Sequence, residues 1–364
     1  MDTTAGGTPG ATRADRGDRP PQGRDAQGRG SGGFVDAAGI VVLVCCAVWT
    51  LIAAAGRPAR PEGTLLALLA VTAGYALGRI LGALLPVLAP AAAAGAVLAL
   101  VLIPPTRLSA HPDAPPLGYP NADAALLVLA VGAACCAAWA ARGAARRVAL
   151  RCVGAGAAAA ALALGSAAGF AAGVAIVLCS LAAARMRRRM LGLAGLALAA
   201  ALAVGGSAAV ATDTLPQGLS QSLTGQLTQP RVELWHKAVD LAEKHPLRGV
   251  GPERFADEAP PATGTDLAPA AESPQSAPLQ LAAEQGIPGV ALLALAFGWL
   301  LTALWRSPRP TPVVLTAAAA LTGLAMLATV DHVLSYAVVT AGAGFLSGVA
   351  TARPFPPDPF PPAD

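Results

Sequence analysis

A charged segment of the chain places an arginine where a helix would bury apolar side chains. The segment, residues 229–255, reads QPRVELWHKAVDLAEKHPLRGVGPERF, with Pro230 suited to a first helical turn and Pro246 to its end. At about 100° per residue, Arg231 falls in the middle of the apolar face of this predicted helix. A guanidinium that points inward from a helix N-terminus favours an anion. The alternative is that Arg231 snorkels off the helix end or pairs with an acidic neighbour.

The opposite, charged face of the same helix carries Glu233, His236 and Asp240, whose spacing could also suit metal ligands. Such a face is more simply a solvated surface, with weak pairs between Glu233 and Lys237 and between Asp240 and Lys244. We therefore predict no metal site and no cofactor.

The adjacent pair Asp331 and His332, and separately Glu284, have the chemistry of a general acid or base. Asp331 and His332 are adjacent near the end of an apolar run, where the carboxylate could orient the imidazole for proton transfer. Without that task, the pair would be an interfacial cap. Glu284 precedes the apolar run that begins near Ile287, and it could act as a base or cap the helix that starts there.

Composition indicates the kind of protein that must position these residues. Hydrophobic residues make up 55% of the chain, charged residues 13%, and the mean hydropathy is +0.57, which is typical of a multi-pass membrane protein. The net charge of +4 is small, and the arginines are scattered in short clusters. Because the sequence lacks the basic, aromatic-bearing pattern of a nucleic-acid binder, we predict no nucleic-acid partner.

Apolar runs of about 17 to 25 residues, long enough to cross a lipid bilayer, occur about ten times. We therefore predict an all-α membrane protein of about ten transmembrane helices with a large, partly helical extracytoplasmic loop. The predicted spans are 34–55, 64–85, 87–103, 122–141, 152–164, 167–184, 190–210, 287–305, 312–330 and 333–352.

Arginine clusters set the predicted orientation, because short loops rich in Arg stay in the cytoplasm. Two clusters lie at 142–151 and 185–189, and a weaker one lies at 306–309. Placing all three in the cytoplasm requires a tight hairpin within ALALGSAAGFAAG, and it puts both termini in the cytoplasm. The predicted division is a disordered cytoplasmic tail (1–33), N-terminal transmembrane helices (34–210), an extracytoplasmic loop carrying the site (211–286), C-terminal transmembrane helices (287–352) and a Pro-rich tail (353–364).

Charge is nearly absent from the predicted spans, with Arg79 as the one clear exception. This residue lies among Gly74, Gly78 and Gly82, a small-residue ladder that favours close packing of helices. Arg79 could bind an anion, but we expect it to snorkel to the cytoplasmic surface. The uncharged interior argues against a proton-coupled or ion-coupled transporter.

The order of motifs in the second half of the chain is distinctive. R-x-x-x-W at Arg231 and Trp235 is followed by HPLRGVGPERF and then by LQLAAEQGIPG entering a transmembrane helix; upstream, GYPNADAALLVLA carries Asn121. This order resembles the O-antigen ligase and polymerase family of multi-pass bacterial glycosyltransferases. The resemblance implies transfer of a glycan from a polyprenyl diphosphate to the hydroxyl of an acceptor glycan or lipid. The reaction would take place on the outer face of the bacterial cytoplasmic membrane, in cell-envelope polysaccharide assembly.

The resemblance also implies residue roles, with Arg231 at the position of the family's loop arginine that engages the diphosphate. Such a transfer needs no metal when cations neutralise the leaving diphosphate. The substrate-binding candidates are Arg231, Arg248, Arg254, Trp235, Asn121 and Gln275, and the catalytic candidates are Arg231, Glu284 and His332.

The sequence departs from the family at the general base. Members commonly carry a histidine shortly before LQ, where this chain has Gln275, and glutamine cannot accept a proton near neutral pH. The arginine that many members carry before the sixth span is also missing, with GSAAG in its place. Either the base is another residue, with Glu272, Glu284, His245 and His332 as candidates, or the activity is lost. The alternative function is therefore a catalytically impaired relative that binds lipid-linked saccharide or scaffolds envelope assembly.

Overall fold

The computed structural model describes residues 24–102, 119–186, 188–212, 214, 229–259 and 273–353. Within these ranges all regular structure is helical, which confirms the predicted all-α class. The elements are α1 (Arg24–Ala54), α2 (Glu62–Leu84), α3 (Leu88–Leu102), α4 (Pro120–Ala140), α5 (Ala144–Ala163), α6 (Ala167–Ala183), α7 (Arg189–Ala211), α8 (Gln229–Lys244), α9 (Phe255–Glu258), α10 (Ala277–Trp305), α11 (Thr311–Val330), a 3₁₀ turn (Val333–Ser335) and α12 (Ala337–Thr351). Helix α1 starts within the predicted disordered tail, and residues 1–23 and 354–364 of the two tails lie outside the described ranges.

Six of these helices are long and apolar enough to cross a bilayer, within the part of the chain that the structure describes: α1, α2, α4, α7, α10 and α11. Helices α3, α6 and α12 are shorter and apolar. Helix α5 meets neither description, because Arg146, Arg147 and Arg151 lie near its start. The chain is therefore a multi-pass helical membrane protein. Each predicted span overlaps a helix, and the count of ten remains a prediction.

Helices α4 and α11 form the centre of the bundle. Every face of these two helices consists mainly of small and aliphatic residues. A helix that is apolar on all sides is typically buried on all sides. Nearly all of α4 from Ala122 to Ala138 is buried, as is most of α11 from Val313 to Thr329. The N-terminus of α4 and the C-terminus of α11 lie at the same end of the bundle, where Tyr119 contacts Asp331.

The opposite end of the bundle is held by arginines that bind helix C-termini. Arg189, at the start of α7, donates to the carbonyl oxygens of Trp305 at 3.1 Å and Ser307 at 2.8 Å. Arg309 donates from Nε to the carbonyl oxygen of Ala352 at 2.9 Å. Cations favour the carbonyl end of a helix. Arg189 thus joins the end of α10 to the start of α7, and Arg309 joins the end of α12 to the loop between α10 and α11. The arginine-rich loops at 185–189 and 306–309, predicted to share one side, do lie at one end.

The tight hairpin predicted between the fifth and sixth spans is present. Leu164, Gly165 and Ser166 alone separate α5 from α6. Gly165 has φ +81°, a left-handed conformation that glycine adopts without strain, and Ser166 caps α6 by accepting a hydrogen bond from the backbone N–H of Gly169 at 3.1 Å. The turn returns the chain to the arginine-bearing end of the bundle.

Glycines bring α2 and α12 into backbone contact, which confirms the predicted small-residue ladder. A Cβ atom added at Gly74 would collide with the carbonyl oxygen of Ala341, and one added at Gly78 would collide with that of Phe345. At Gly82, an added Cβ would lie 2.9 Å from the Cα of Val349 and 3.0 Å from the Cβ of Ala352. Since the contact moves along both chains in the same direction, the two helices pack in parallel. Close packing of this kind stabilises helix pairs within a bilayer.

We expect Gly78→Ala to destabilise the protein by about 1–3 kcal/mol, because the new methyl group forces the α2 and α12 backbones apart. Thermal unfolding in detergent measures the effect. Gly95→Ala is the matched control, since Gly95 is also helical and has open space around its added Cβ. Equal unfolding temperatures for the two variants would contradict this interpretation of the ladder.

The prediction that Arg79 is the one clear charge within the spans is wrong. Asp36 lies in α1 and Asp123 in α4, and both fall within predicted spans, near the point where each span begins. Arg79 Nη1 lies 3.0 Å from Asp36 Oδ1, which also accepts a hydrogen bond from Tyr75 Oη at 3.1 Å. Arg79 therefore pairs with a neighbouring helix and does not simply extend to the surface, because an opposite charge within reach offsets the cost of burial.

Candidate functional site

Helix α8 is amphipathic as predicted, and its apolar face is its buried face. Trp235 is 1% exposed and packs in a hydrophobic cluster with residues of α7, α9 and α10; the other members are Val210, Ala211, Leu234, Ala238, Leu241, Val250, Phe255, Ala259, Leu279 and Ala283. On the other face, Lys244 Nζ lies 2.7 Å from Asp240 Oδ2, which confirms that predicted pair. Trp235, a predicted substrate-binding residue, thus lies where its ring anchors the helix.

Two motif segments that are distant in the sequence dock against each other. Helix α10 breaks at Gly286, whose φ of 71° and ψ of −169° are not helical, so residues 277–285 form a short helical segment of their own before the apolar span. Three backbone hydrogen bonds of 2.9 Å join this segment to HPLRGVGPERF: Val250 N to Ala283 O, Gly251 N to Glu284 O, and Ile287 N to Pro246 O. These bonds fix the start of α10 against the end of α8.

Gly249 permits this docking. Its φ of +58° lies in the left-handed region, and an added Cβ would lie 2.5 Å from the carbonyl oxygen of Ala283 and would collide with the backbone of Glu284. Only glycine satisfies both requirements without a shift of the backbone.

We expect Gly249→Ala to separate the two segments. The left-handed conformation costs a residue with a Cβ about 1–2 kcal/mol, and the collision with Glu284 adds to that cost. Gly165→Ala is the control, because Gly165 has φ +81° and open space around an added Cβ. Thermal unfolding in detergent should therefore show a larger loss for Gly249→Ala, and equal losses would contradict a docking role.

Glu284 is buried beneath this junction. It is 3% exposed, and its carboxylate accepts hydrogen bonds from the Gln280 side-chain amide at 3.3 Å and from the backbone of Glu253 and Phe255. Within the described residues no hydrogen bond links it to Arg231. The contacts of this catalytic candidate are those of a carboxylate that holds the turn around Glu253.

Arg231 lies in the first turn of α8 and bonds to Gln275. Its Nε donates to Gln275 Oε1 at 3.0 Å. Gln275 has a positive φ of 50° and directly precedes Ser276, the N-cap residue of α10. The hydrogen bond therefore joins the N-termini of α8 and α10, and both helix dipoles present their positive ends there.

A polar cluster centred on Asp331 lies between α4 and α11. Tyr119 Oη donates to both carboxylate oxygens, at 3.0 and 2.9 Å, and Asn121 Nδ2 donates to Oδ2 at 2.5 Å. The backbone N–H of His332 donates to Oδ1 at 2.7 Å, and His332 Nδ1 lies 3.1 Å from the same oxygen. The imidazole therefore lies against the Asp331 carboxylate, an arrangement compatible with either of the roles weighed for this pair, proton transfer or an interfacial cap.

Aromatic rings close one side of this cluster. The Tyr119 and His332 ring centroids are 4.8 Å apart, and the Tyr119 and Tyr336 rings are parallel with centroids 5.9 Å apart. Tyr119 and Tyr336 are half-buried, so part of each side chain remains accessible.

Electrostatics connect Arg231 with the Asp331 cluster. Burial would raise the pKa of Asp331, but the hydrogen bonds from His332 and Tyr119 outweigh it and hold the pKa below its usual range. Burial and the charge of Asp331 raise the pKa of Tyr119 to about 12, and the positive charge of Arg231 partly opposes this rise. In addition, Val330 packs against the hydrophobic cluster around Trp235. Asp331 is thus ionised and Tyr119 protonated at neutral pH, with a cation nearby.

The other predicted residues lie apart from this site. Arg248 donates to the carbonyl oxygens of Ile52 and Ala55, the latter at 2.8 Å, and Arg254 pairs with Glu258 at 2.6 Å. His245 is exposed at the end of α8. Glu272 lies outside the described residues.

The structure adds residues that the sequence analysis did not weigh as site members. Tyr119 and Tyr336 flank His332, and Asp331, considered only as its neighbour, receives most of the hydrogen bonds. A tyrosine directly before the Asn121 motif was the available signal for Tyr119. Arg231, Gln275, Asn121 and His332 are the predicted residues that belong to the Arg231–Gln275 contact or to the Asp331 cluster.

The fold and this site define a multi-pass helical membrane protein with Arg231 and a carboxylate–imidazole cluster at one end. The family model for O-antigen ligase matches residues 152–294, a range that contains Arg231, Gln275 and Glu284. Over this range the match confirms the resemblance predicted from the motifs. No curated protein matches the chain.

Proposed function

We propose that the protein transfers a glycan from a polyprenyl diphosphate to an acceptor hydroxyl on the outer face of the bacterial cytoplasmic membrane. The observation that carries this proposal is the position of Arg231, which lies at a helix N-terminus beside an oriented carboxylate–imidazole pair. The family match to the segment that contains Arg231 supports it.

Arg231 is the proposed ligand of the diphosphate. Its hydrogen-bond partner is the neutral amide of Gln275, and no carboxylate within the described residues forms an ion pair with it. The guanidinium charge therefore remains available for an anion. A planar guanidinium can hold two phosphate oxygens, and the N-terminus of α8 adds its positive dipole end. The same charge would stabilise the diphosphate as it leaves.

His332 is the proposed general base. With Nδ1 directed to Asp331, Nε2 is the nitrogen that can accept the proton of the acceptor hydroxyl. As the acceptor oxygen bonds to the anomeric carbon, the bond between that carbon and the phosphate oxygen breaks. The electron pair then leaves with the polyprenyl diphosphate. Glu284 and His245 are less suited to this role, because one is buried under the docked turn and the other is at the far end of α8.

The proposed topology has ten spans, with both termini in the cytoplasm and residues 211–286 outside. The separation of the arginine-rich loops from the Arg231 site supports this arrangement, since they lie at opposite ends of the bundle. A cysteine introduced at exposed Lys244, in a variant without the native cysteines, should react with a membrane-impermeant label added to intact cells. Reaction only after the cells are opened would contradict the assigned side.

Gln275 favours a second candidate function, that of a catalytically impaired relative which binds lipid-linked saccharide or scaffolds envelope assembly. Its amide accepts a hydrogen bond from Arg231 and cannot take up a proton near neutral pH. In this case the site would retain the diphosphate without transferring the glycan.

Binding and transfer, measured on the same purified protein with a polyprenyl-diphosphate-linked saccharide, separate the two functions. The proposed enzyme binds the lipid and forms a product when an acceptor glycan is added. Binding without transfer, together with transfer gained in Gln275→His, would support the impaired relative. Absence of binding would refute both functions.

A further inference from the structure

An apolar groove of about 530 Å³ runs along the outside of the bundle between α1 and α10. Its walls include Val44, Cys45, Val48 and Ile52 of α1 and Pro288 and Leu292 of α10. From Val44 to Ile52 the groove extends roughly 12 Å at 1.5 Å per helical residue, which suits a segment of a hydrocarbon chain. Val44, Val48 and Ile52 are all exposed, so the groove opens toward the bilayer.

One end of the groove lies at the end of the bundle that carries α8. Trp49 lines it and donates from Nε1 to the carbonyl oxygen of Gln285 at 3.0 Å, directly before the break in α10. The groove therefore begins at the junction where HPLRGVGPERF docks. A molecule lying in it would contact both α1 and the start of the α10 span.

Two arginines lie near this end of the groove. Arg248 donates to the carbonyl oxygen of Ile52, a wall residue, and to that of Ala55 at 2.8 Å. Arg57 Nη1 donates to the carbonyl oxygen of Gly249 at 2.5 Å. Both side chains are partly accessible, and neither forms an ion pair with a carboxylate within the described residues. Backbone carbonyls hold the two cations in place without cancelling their charge.

We propose that this groove and the two arginines form a binding site for an anionic membrane phospholipid. The phosphodiester lies against Arg57 and Arg248, and one acyl chain fills the groove. A pair of cations directly above an apolar channel is complementary to a headgroup that joins a negative charge to a hydrocarbon chain. The lipid links the α1–α2 connection to the loop around Gly249, and so stabilises the docked segment that precedes α10. This site is separate from Arg231 and does not depend on the proposed transfer reaction.

Thermal unfolding of the delipidated full-length protein tests the site. Phosphatidylglycerol should raise the unfolding temperature by roughly 2–4 °C more than phosphatidylcholine with the same acyl chains. Arg57→Gln and Arg248→Gln should each remove this difference. The comparison between lipids is made within each variant, so it holds even where the substitution itself lowers stability. Arg60→Gln is the matched control, because Arg60 lies on the same connection and is exposed, and among the described residues its side chain forms no hydrogen bond to α1 or to the loop around Gly249. Equal effects of the two lipids on the wild type would refute the proposal.

Cys45 provides a second measurement inside the groove. Phosphatidylglycerol should slow the alkylation of exposed Cys45 relative to phosphatidylcholine, whereas exposed Cys152 on α5 should react at the same rate in both lipids. Arg248→Gln should restore rapid alkylation of Cys45. If polyprenyl phosphate protects Cys45 and phosphatidylglycerol does not, the occupant is a carrier lipid and the phospholipid assignment is wrong.

Discussion

His332→Gln should lower the rate of glycan transfer by about 10²–10⁴-fold while leaving the binding of polyprenyl diphosphate unchanged. Glutamine retains polar atoms near the site but cannot take up the acceptor proton. The hydrogen bonds that Asp331 accepts from Tyr119 and Asn121 do not involve the lost imidazole, so the cluster should persist. Single-turnover transfer and equilibrium binding measure the two effects separately.

His245→Gln is the matched control for this substitution, because His245 is exposed at the end of α8. It should transfer glycan at the wild-type rate. Asp331→Asn should also reduce transfer, since the imidazole would lose the charge that orients it. Wild-type transfer by His332→Gln, or a loss of transfer in His245→Gln, would show that another residue is the base.

Arg231→Lys and Arg231→Ala should both weaken the binding of lipid diphosphate about tenfold to a hundredfold. Lysine retains the charge but lacks the planar fork that holds two phosphate oxygens, so even this mild change should be costly. Loss of one charge-assisted contact corresponds to about 1.5–3 kcal/mol. Binding of polyprenyl diphosphate to the purified protein measures the loss directly.

Lys244→Ala serves as the control on the same helix, because Lys244 is exposed and pairs only with Asp240 among the described residues. It should bind the lipid like the wild type. His236 is a poorer control than its predicted outward position suggested, since it is half-buried. If both Arg231 variants bind and transfer normally while inserting into the membrane, the proposed role of Arg231 is wrong.

Local patterns in the sequence predict the elements of this fold well. Apolar length locates each helix of the bundle, and the 3.6-residue period of α8 predicts that Trp235 and Leu241 face inward, as they do. The ladder at Gly74 and Gly78 predicts a close helix contact because small residues in a span have few other uses. The partner of that ladder, α12, could not be read from the sequence, since nothing local in α2 specifies it.

The site depends on contacts between distant parts of the chain, which a single sequence does not reveal. Tyr119 and Asp331 meet because α4 begins at the level of the bundle where α11 ends. That level depends on how the two central helices pack. The motif around Arg248 predicted a helper for the diphosphate, whereas its guanidinium binds the end of α1. Residue type and motif position could not distinguish these uses of an arginine.

The parallel contact between α2 and α12 also constrains the order of events during biosynthesis. Helix α2 leaves the ribosome early with its glycine face bare, and α12 is the last helix of the described chain. At about 5–20 residues per second, α2 waits roughly 10–50 s for its partner. During that interval its backbone faces lipid or the insertion machinery. A nascent chain arrested before α12 should therefore remain accessible to crosslinking with the translocon at Gly78, and should lose that contact once α12 has been inserted.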